Sequence, residues 1–421
     1  MKKSVFIIAL TALALGGCKD DASDCLACLP DIKGKEYSSS ALEVYYMGEL
    51  MPAKQAVVSI DKDEAEATMT FSSVLDLSSI PGAGLSGSLQ GPGITPGQRT
   101  ITLTSPVKAS GGAYVFSGAG STETLTFNYE GRIEEGKMTV YLTDCLLRNQ
   151  TAAGVYAPAP IRKEGLEYVS LPLHLVWELD PAAGIELPLS DVLKLVATAP
   201  VIPVYGGTAY MSFAQGLESV VKTIAFNPTG NVPVMYVSTL GGAAHLATTS
   251  GNMLQYAPAP GGVTLYVNPM SVFGEFLLVT SDNKNDDKFD FKAMLGRADE
   301  GGADSSQESA DMTMALLSVL IKTLAPQIAD GVPLAVTPTE SGIDAYLDTK
   351  TSVTFLANLL ENALQNPTVM VELMKYIGSA QLPEGVTAAD IQEVIVNVGE
   401  YLQKTTRLEV GLSLVKYQQA Q

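Results

Sequence analysis

The first part of the chain alternates apolar and polar residues with a period of two, which is the pattern of strands with one buried face. These segments lie at hairpin spacing, and no helical pattern interrupts them. About seven short strands of this kind predict an antiparallel β-barrel or sandwich over residues 36–150. The alternating segments are 42–46, 56–60, 67–71, 100–103, 113–116, 124–129 and 138–142.

Residues 166–421 contain both strand-like segments with a period of two and helical segments with a period of about 3.6, so we predict an α+β domain there. Segments 166–179 and 407–417 both alternate leucine with polar residues, and we expect them to pair and close one sheet. Shorter strands are predicted near 232–237, 244–248 and 263–267. Helical patterns occupy 191–197, 209–224, 308–328, 353–364, 367–377 and 388–403.

The predicted helices are unusually apolar. In 353–364, Phe355, Leu359 and Ala363 share one helix face. We expect an apolar helical cluster packed against the second sheet, and the alternative is an apolar groove for an acyl or sterol-like ligand. Between the two predicted domains, Pro158 and Pro160 favour extended backbone, so we predict a linker over residues 151–165.

The amino terminus has the features of a secretory signal. Lys2 and Lys3 precede a largely apolar run over 5–15, and small residues follow it. Leu15, Gly16, Gly17 and Cys18 resemble the bacterial lipobox, in which the cysteine sulfur receives a diacylglycerol. We therefore predict a signal peptide over residues 1–17, lipid attachment at Cys18, and a flexible tether over residues 18–35.

The residues after Cys18 resemble a second localisation signal. Lys19, Asp20 and Asp21 resemble the export signal that follows the lipidated cysteine in Bacteroidota-type lipoproteins of the cell surface. The resemblance implies an outer-membrane protein displayed on the outside, and the alternative is an anchor that faces the periplasm. The membrane is thus an expected partner through the lipid anchor, and no protein partner is indicated.

Cys25, Cys28 and Cys145 are the remaining cysteines. A zinc site would need further ligands, and only His174 and His245 are present in the chain. In an oxidising compartment a disulfide is favoured, either between Cys25 and Cys28 or between one of them and Cys145.

The strand pattern also carries a family resemblance. A Gly/Pro-rich loop over 80–97 precedes AYVFSGAG at 113–120 and LTFNYEGRIEEGKMTVYLTD at 125–144. This arrangement resembles uncharacterised calycin-like surface lipoproteins of Bacteroidota-type bacteria and implies a lipocalin-like β-barrel. Classical lipocalins begin with Gly-x-Trp, which this chain lacks, so none of their ligand residues is carried over.

Charge and motifs narrow the function. The chain has 26 Lys and Arg against 45 Asp and Glu, a net charge of −19, and no basic run, which excludes nucleic acid as a partner. It contains no Gly-x-Ser-x-Gly, HExxH or Walker motif. Acidic residues in 281–290 lack the ligand spacing of a calcium loop. We predict no cofactor, no metal site and no catalytic residue.

One carboxylate pair needs a separate comment. Glu178 and Asp180 fall on the same side of a regular strand, and paired carboxylates can hydrolyse glycosides. Strand alternation alone also predicts a polar face opposite Leu175 and Trp177, and we favour that interpretation.

We therefore expect a non-enzymatic binding protein for a hydrophobic or amphipathic small molecule. The alternative is an accessory glycan-binding or complex-forming component of an outer-membrane uptake system, and a glycan-cleaving enzyme is a third, weaker possibility. Glycan binding requires exposed aromatic side chains, for which Tyr45, Tyr46 and Trp177 are the candidates.

Overall fold

The described chain is mostly β-strand, arranged in two large curled sheets with a few helices. The structure is a computed structural model. It confirms the predicted β-rich architecture, and the α-helices among the described residues belong to the second half of the chain. The residues it describes are 25–76, 88–165, 167–185, 187–200, 202–203, 210–238, 244–268, 327–328, 330–364, 374–375, 377–378, 382 and 387–418.

The first sheet contains the alternating segments of the amino-terminal half. Its spatial order is β1-β4-β5-β7-β8-β9-β10-β2-β3, and β6 pairs with β5. The strands are β1 Lys35–Ser38, β2 Leu42–Tyr46, β3 Glu49–Leu50, β4 Lys54–Asp61, β5 Glu66–Asp76, β6 Ser88–Gln90, β7 Ile101–Ser110, β8 Ala113–Ser121, β9 Leu125–Ile133 and β10 Met138–Leu147.

The first sheet is not wholly antiparallel, which corrects the predicted antiparallel arrangement at one ladder. β1 pairs antiparallel with β4, whereas β2 pairs parallel with β10. A short 3-10 turn at Ser39–Ala41 joins β1 to β2, so one segment of chain reaches both ends of the sheet. The six strands from β4 to β10 on this path alternate in direction. The last one therefore runs the same way as the β1–β2 segment, and the closing ladder has to be parallel.

Large side chains fill the inside of this curled sheet. Met69, Phe71 and Tyr114 are buried there. Gly118 and Gly120 occupy inward positions of β8. A Cβ at Gly118 would lie 2.6 Å from the Tyr129 ring, and a Cβ at Gly120 would lie 2.3 Å from the Phe127 ring. The glycines thus leave the space that these aromatic rings occupy, and the interior is a packed core.

The second half of the chain supplies the other large sheet, in the order β19-β18-β17-β11-β24-β23-β22-β21-β20, with β14 paired to β24. β12 pairs with β13, and β15 pairs with β16. The strands are β11 Gly154–Pro158, β12 Arg162–Glu164, β13 Glu167–Ser170, β14 Leu173–Leu179, β15 Ile202–Pro203, β16 Tyr210–Met211, β17 Val221–Phe226, β18 Val234–Ser238, β19 His245–Thr248, β20 Leu254–Ala259, β21 Gly262–Val267, β22 Val332–Pro338, β23 Gly342–Leu347 and β24 Thr405–Lys416.

The expected pairing of the two leucine-rich segments is confirmed. β14 and β24 are antiparallel, with Leu173 opposite Leu412 and Trp177 opposite Leu408. Because both strands alternate, Trp177 and Leu408 face the same side of the sheet. The Trp177 indole donates a hydrogen bond to the Thr405 hydroxyl at 2.8 Å, so its polar group is satisfied while the ring is buried.

Helices cover the Trp177 side of the second sheet. They are α1 Leu189–Ala197, α2 Phe213–Val220, α3 Thr349–Leu364 and α4 Ala388–Gln403. Buried residues of α1, α3 and α4 share one apolar cluster with the sheet. Its members are Trp177, Leu189, Val192, Leu195, Leu356, Ile377, Ile391, Val394, Tyr401, Leu402 and Leu408.

The helix over 209–224 is shorter than predicted. Ser212 and Gln215 form a capping box that starts α2, and the chain becomes β17 at Val221. The run Val220, Val221 and Thr223 is β-branched, which favours a strand over the continued helix. Most residues of the predicted helices over 308–328 and 367–377 lie outside the described residues, as does the whole of 281–290.

The segment predicted as a linker belongs to the fold, which corrects the predicted domain division. β11 pairs with both β17 and β24, and Tyr156 within it is buried. Proline favours extended backbone, which occurs in linkers and also at the ends of strands. Pro158 therefore fits the end of β11 as well as it would fit a linker.

The two sheets share one hydrophobic core. Side chains from the second half that pack with the interior of the first sheet are Tyr156, Phe226, Val232, Tyr256, Val263, Ile343 and Leu414. Hydrogen bonds also cross between the halves: Tyr46 donates to the Thr229 carbonyl at 2.5 Å, and Asn252 donates to the Glu49 carbonyl at 2.7 Å. Among the described helices, none is long and apolar enough to cross a membrane.

Candidate functional site

The predicted anchor residues Cys18, Lys19, Asp20 and Asp21 lie outside the described residues. The described residues begin at Cys25, which forms a disulfide with Cys28 across the 3-10 helix Leu26–Cys28. Of the pairings that the sequence left open, this is the one present.

Part of the predicted tether is packed against the first sheet. Leu29 and Ile32 are buried in its core, and Tyr114 donates a hydrogen bond to the Pro30 carbonyl at 2.8 Å. The side chain of Lys62 forms an ion pair with Asp31 at 2.7 Å. Apolar side chains at 29 and 32 can bury their surface only against the fold, so the tether prediction is corrected for residues 25–35.

Cys145 is a buried free thiol. Burial raises its pKa to about 11, so at neutral pH it is a thiol and not a reactive thiolate.

Glu178 and Asp180 do not act together in the structure. Regular strand ends at Leu179, and the Asp180 side chain accepts a hydrogen bond from the Ala182 amide, which caps the following turn. Glu178 instead lies 3.1 Å from Arg407.

A network of titratable side chains lies across β14, β23 and β24. His174 places Nδ1 3.1 Å from Asp344 and Nε2 2.8 Å from Glu409. Glu409 accepts two further hydrogen bonds from the Arg407 guanidinium, at 2.8 and 3.0 Å. Another nitrogen of Arg407 reaches Glu178, as described above. We name these five residues the ion-pair network.

A glycine makes the centre of this network possible. In the register of the sheet, Gly411 of β24 lies between His174 and Tyr346. Because Gly411 has no side chain, the imidazole stacks on the Tyr346 ring, with centroids 4.4 Å apart and an interplanar angle of 20°. Ser413 donates a hydrogen bond to Asp344 at 2.7 Å.

The charges of the network stabilise one another. Burial alone would lower the pKa of His174, but hydrogen bonds and charge from Asp344 and Glu409 outweigh it and raise that pKa above 6.5. Burial also opposes ionisation of the two carboxyls. The pKa of each is nevertheless lowered, because His174 contacts both and Arg407 contacts Glu409.

This arrangement does not suit catalysis. Between two carboxylates, both imidazole nitrogens of His174 are occupied, so neither is free to accept a proton from a substrate. Ser413 directs its hydroxyl to Asp344 and not to the imidazole, so Ser413 and His174 do not form a nucleophile–base pair. The ion-pair network is a crosslink between three strands.

Sequence reasoning missed the ion-pair network. His174 and Glu409 are 235 residues apart, and nothing local indicates that they meet. The available signal was the alternation of both leucine-rich strands. Had their register been known, the polar positions His174 and Glu178 would have fallen beside Arg407 and Glu409.

The outer face of the first sheet carries a different group. Tyr45 of β2 and Tyr141 of β10 are directly paired, and their rings stack with centroids 4.9 Å apart and an interplanar angle of 14°. Their strand neighbours Val44, Tyr46 and Leu142 point inward and are buried. The Tyr141 side chain remains 40% exposed. We name Tyr45 and Tyr141 the tyrosine pair.

Polar and apolar groups flank the tyrosine pair. Leu50 of β3 is opposite Tyr45 and 50% exposed, and Glu130 of β9 is opposite Tyr141. Glu130 is exposed, and its carboxylate has no hydrogen-bond or ion-pair partner among the described residues. One row of residues across β3, β2, β10 and β9 therefore presents the aliphatic side chain of Leu50, the stacked rings of the tyrosine pair and the carboxylate of Glu130.

A charged pair lies beside the row. Lys137 is 2.6 Å from Glu43, and the Tyr45 hydroxyl donates to the same carboxylate at 3.4 Å. Burial and the charge of Glu43 raise the pKa of Tyr45, so its hydroxyl stays protonated at neutral pH. Of the three aromatic candidates, Tyr46 and Trp177 are buried and only Tyr45 reaches the surface.

A buried lysine lies inside the first sheet. The Lys54 side chain is in phase with the inward residues of β4, and only 5% of the residue is exposed. Its ammonium donates to the carbonyls of Pro92 and Gly93 at 2.6 and 2.9 Å. Burial lowers the pKa of Lys54 to about 7.

Within the described part of the chain, no group of three or more His, Cys, Asp and Glu side chains has the arrangement of a metal site. Compared with known proteins, the chain matches no protein-family model, no curated protein and no solved structure.

Proposed function

We propose that this protein is an outer-membrane lipoprotein, anchored through Cys18 and displayed at the cell surface, that binds its ligand without chemical conversion. The sequence from the positive start to Cys18 carries the anchoring part of the proposal. Few residues separate Cys18 from Leu29, which is already buried. The anchor therefore holds the folded body close to the membrane surface.

The Cys25–Cys28 disulfide supports an address outside the cytosol. Disulfides persist in oxidising compartments and are rare where glutathione and thioredoxin keep thiols reduced. The pair lies between the proposed anchor and the first sheet, where the chain enters the fold.

The ion-pair network supports a binding role over an enzymatic one. His174 is one of only two histidines, and it is committed to structural contacts. Glu178 and Asp180, the pair considered for glycoside hydrolysis, each have a separate structural partner. These groups are occupied in holding strands and turns.

The proposed ligand is amphipathic, and its site is the outer face of the first sheet. A hydrophobic molecule inside that sheet would have to displace Met69, Phe71 or Tyr114, which are packed there. The tyrosine pair with Leu50 instead offers exposed apolar surface beside charged groups.

Metabolic labelling tests the anchor. Cells fed an alkyne-bearing palmitate should yield a labelled protein that a surface-added protease removes from intact cells. A Cys18→Ser variant should lose the label, whereas a Cys145→Ser variant, which changes a buried thiol, should keep it. An unlabelled wild-type protein that retains Met1 would refute the proposal.

A further inference from the structure

We propose that the tyrosine pair is the centre of a binding platform for neutral saccharides, formed by the row Leu50, Tyr45, Tyr141 and Glu130. This inference rests on the proposed function, because it names the ligand class of the same face. The observation behind it is that two stacked rings and the Glu130 carboxylate, which has no partner among the described residues, lie together on the surface.

The stacked rings supply the apolar part of the platform. A pyranose ring has a face of C–H groups, and these groups carry slight positive charge. The face of a tyrosine ring is electron-rich, so it attracts such groups, and the contact also removes apolar surface from water. Tyr45 and Tyr141 cover one face of each other, and their stacking holds the rings in place before a ligand arrives.

The neighbouring side chains supply the polar part. The hydroxyls around a sugar ring both donate and accept hydrogen bonds. Glu130 offers an acceptor beside Tyr141, and Lys137 and Glu43 offer a donor and an acceptor beside Tyr45. Thr139, which lies opposite Glu43 in the ladder, adds a hydroxyl to the same face.

The shape of the face favours a saccharide over a lipid. The row crosses four neighbouring strands, or three spacings of about 4.8 Å, on the outside of a sheet. Purely apolar ligands are held in clefts that bury most of their surface. A saccharide keeps many hydroxyls in water, so an open face with polar edges suits it.

Charge makes the expected saccharide neutral. Two carboxylates, those of Glu43 and Glu130, lie beside the rings, and Lys137 pairs with Glu43. The whole chain carries a net charge of −19. Uronic acids and sulfated sugars would therefore be repelled.

Affinity electrophoresis of the full-length protein in mild detergent tests the platform. Native gels would contain soluble starch, dextran, xylan or galactomannan, with polygalacturonate as the acidic comparison. We expect at least one of the four neutral polysaccharides to retard the protein and polygalacturonate not to do so. If none of the four retards it, or only polygalacturonate does, the saccharide inference is overturned.

Variants then locate the site. Tyr141→Ala should weaken binding at least about tenfold, as expected for loss of an aromatic stacking surface. Tyr417→Ala is the matched control, because Tyr417 is 41% exposed on the other half of the chain. Glu130→Gln keeps the shape and removes the charge, and it should weaken binding less than Tyr141→Ala. Equal affinity in Tyr141→Ala and wild type would refute the site.

Two further results separate this inference from the proposed function. Titration with sodium cholate uses an amphiphile that lacks a sugar. If cholate binds, depends on Tyr141, and no neutral polysaccharide binds, the binding function stands and the saccharide inference fails. If palmitate labelling fails while starch or xylan still binds through Tyr141, the anchor is wrong and the platform stands.

Discussion

Each of the two large sheets carries polar and aromatic side chains on its outer face, but these side chains have different roles. On the second sheet, His174, Asp344 and Glu409 satisfy one another within the fold. On the first sheet, Tyr141 and Glu130 are exposed, and the described chain provides no polar partner for the Glu130 carboxylate. A histidine flanked by carboxylates looks more like a functional site than two tyrosines do, yet its partners are already taken. The face with unused contacts is the better candidate for binding.

Lys54 in the first half and His174 in the second half differ in the partners that the fold gives them. Among the described residues, Lys54 has the carbonyl oxygens of Pro92 and Gly93 as its partners, and burial lowers its pKa to about 7. His174 has two carboxylates, which raise its pKa despite burial. The two groups therefore make the stability of the protein depend on pH with opposite signs.

The largest predicted effect comes from Lys54. Its folded pKa lies below the ordinary 10.5, so the unfolded chain holds the proton more tightly and stability rises with pH between about 7 and 10. The gain should reach about 4 kcal/mol over that window. Lys54→Met should lose this gain, whatever its baseline stability. Urea unfolding at several pH values measures it, with Lys108→Met, at an exposed position of β7, as control. Parallel pH profiles for wild type and Lys54→Met would contradict the prediction.

Removing His174 should come next. His174→Leu leaves Asp344 and Glu409 facing an apolar group, which should lower the free energy of unfolding by roughly 2–4 kcal/mol at pH 6. Adding Asp344→Asn to this variant should recover part of the loss, because one uncompensated charge disappears. Urea unfolding of the single and double variants checks both expectations. A loss below about 0.5 kcal/mol, typical of an ordinary surface change, would show that the network is not a crosslink.

The same variant tests the sign of the pH dependence. The folded pKa of His174 is raised, so its stabilising contribution is complete below pH 6.5 and is lost as pH rises through the folded pKa. The deficit of His174→Leu relative to wild type should therefore shrink between pH 6 and pH 9. A deficit that grows over this range would mean that the carboxylates do not hold the imidazole protonated.

The smallest effect on stability is expected at the tyrosine pair. Tyr141→Ala removes one cross-strand aromatic contact on an exposed face, which should cost less than about 1 kcal/mol. Thermal unfolding checks this against Tyr417→Ala. A large loss of stability would place Tyr141 with the structural residues and weaken its assignment as a binding residue.

Local patterns in the sequence predicted much of the fold. Alternation identified the strands of the first sheet and the β14–β24 pair, and helical periodicity matched the bounds 388–403 of α4. The parallel ladder of β2 with β10 was not predictable in this way. It follows from an even number of intervening strands, which is a property of the whole sheet.

The site was harder to predict than the fold. Tyr45 was a candidate from its residue type, but its partner Tyr141 lies almost a hundred residues away and depends on the parallel register. Tyr46, the next residue along the strand, is also a tyrosine, but its side chain points inward and is buried. A one-residue step decides between surface and core in a strand, so residue type alone could not separate the two.

The most direct test measures saccharide affinity and unfolding free energy in Tyr141→Ala and His174→Leu together. The account predicts that Tyr141→Ala loses affinity for the retarding polysaccharide and keeps its stability, whereas the folded fraction of His174→Leu keeps its affinity and loses stability. The reverse pattern, with affinity lost only in His174→Leu, would place the binding site on the second sheet and contradict the account.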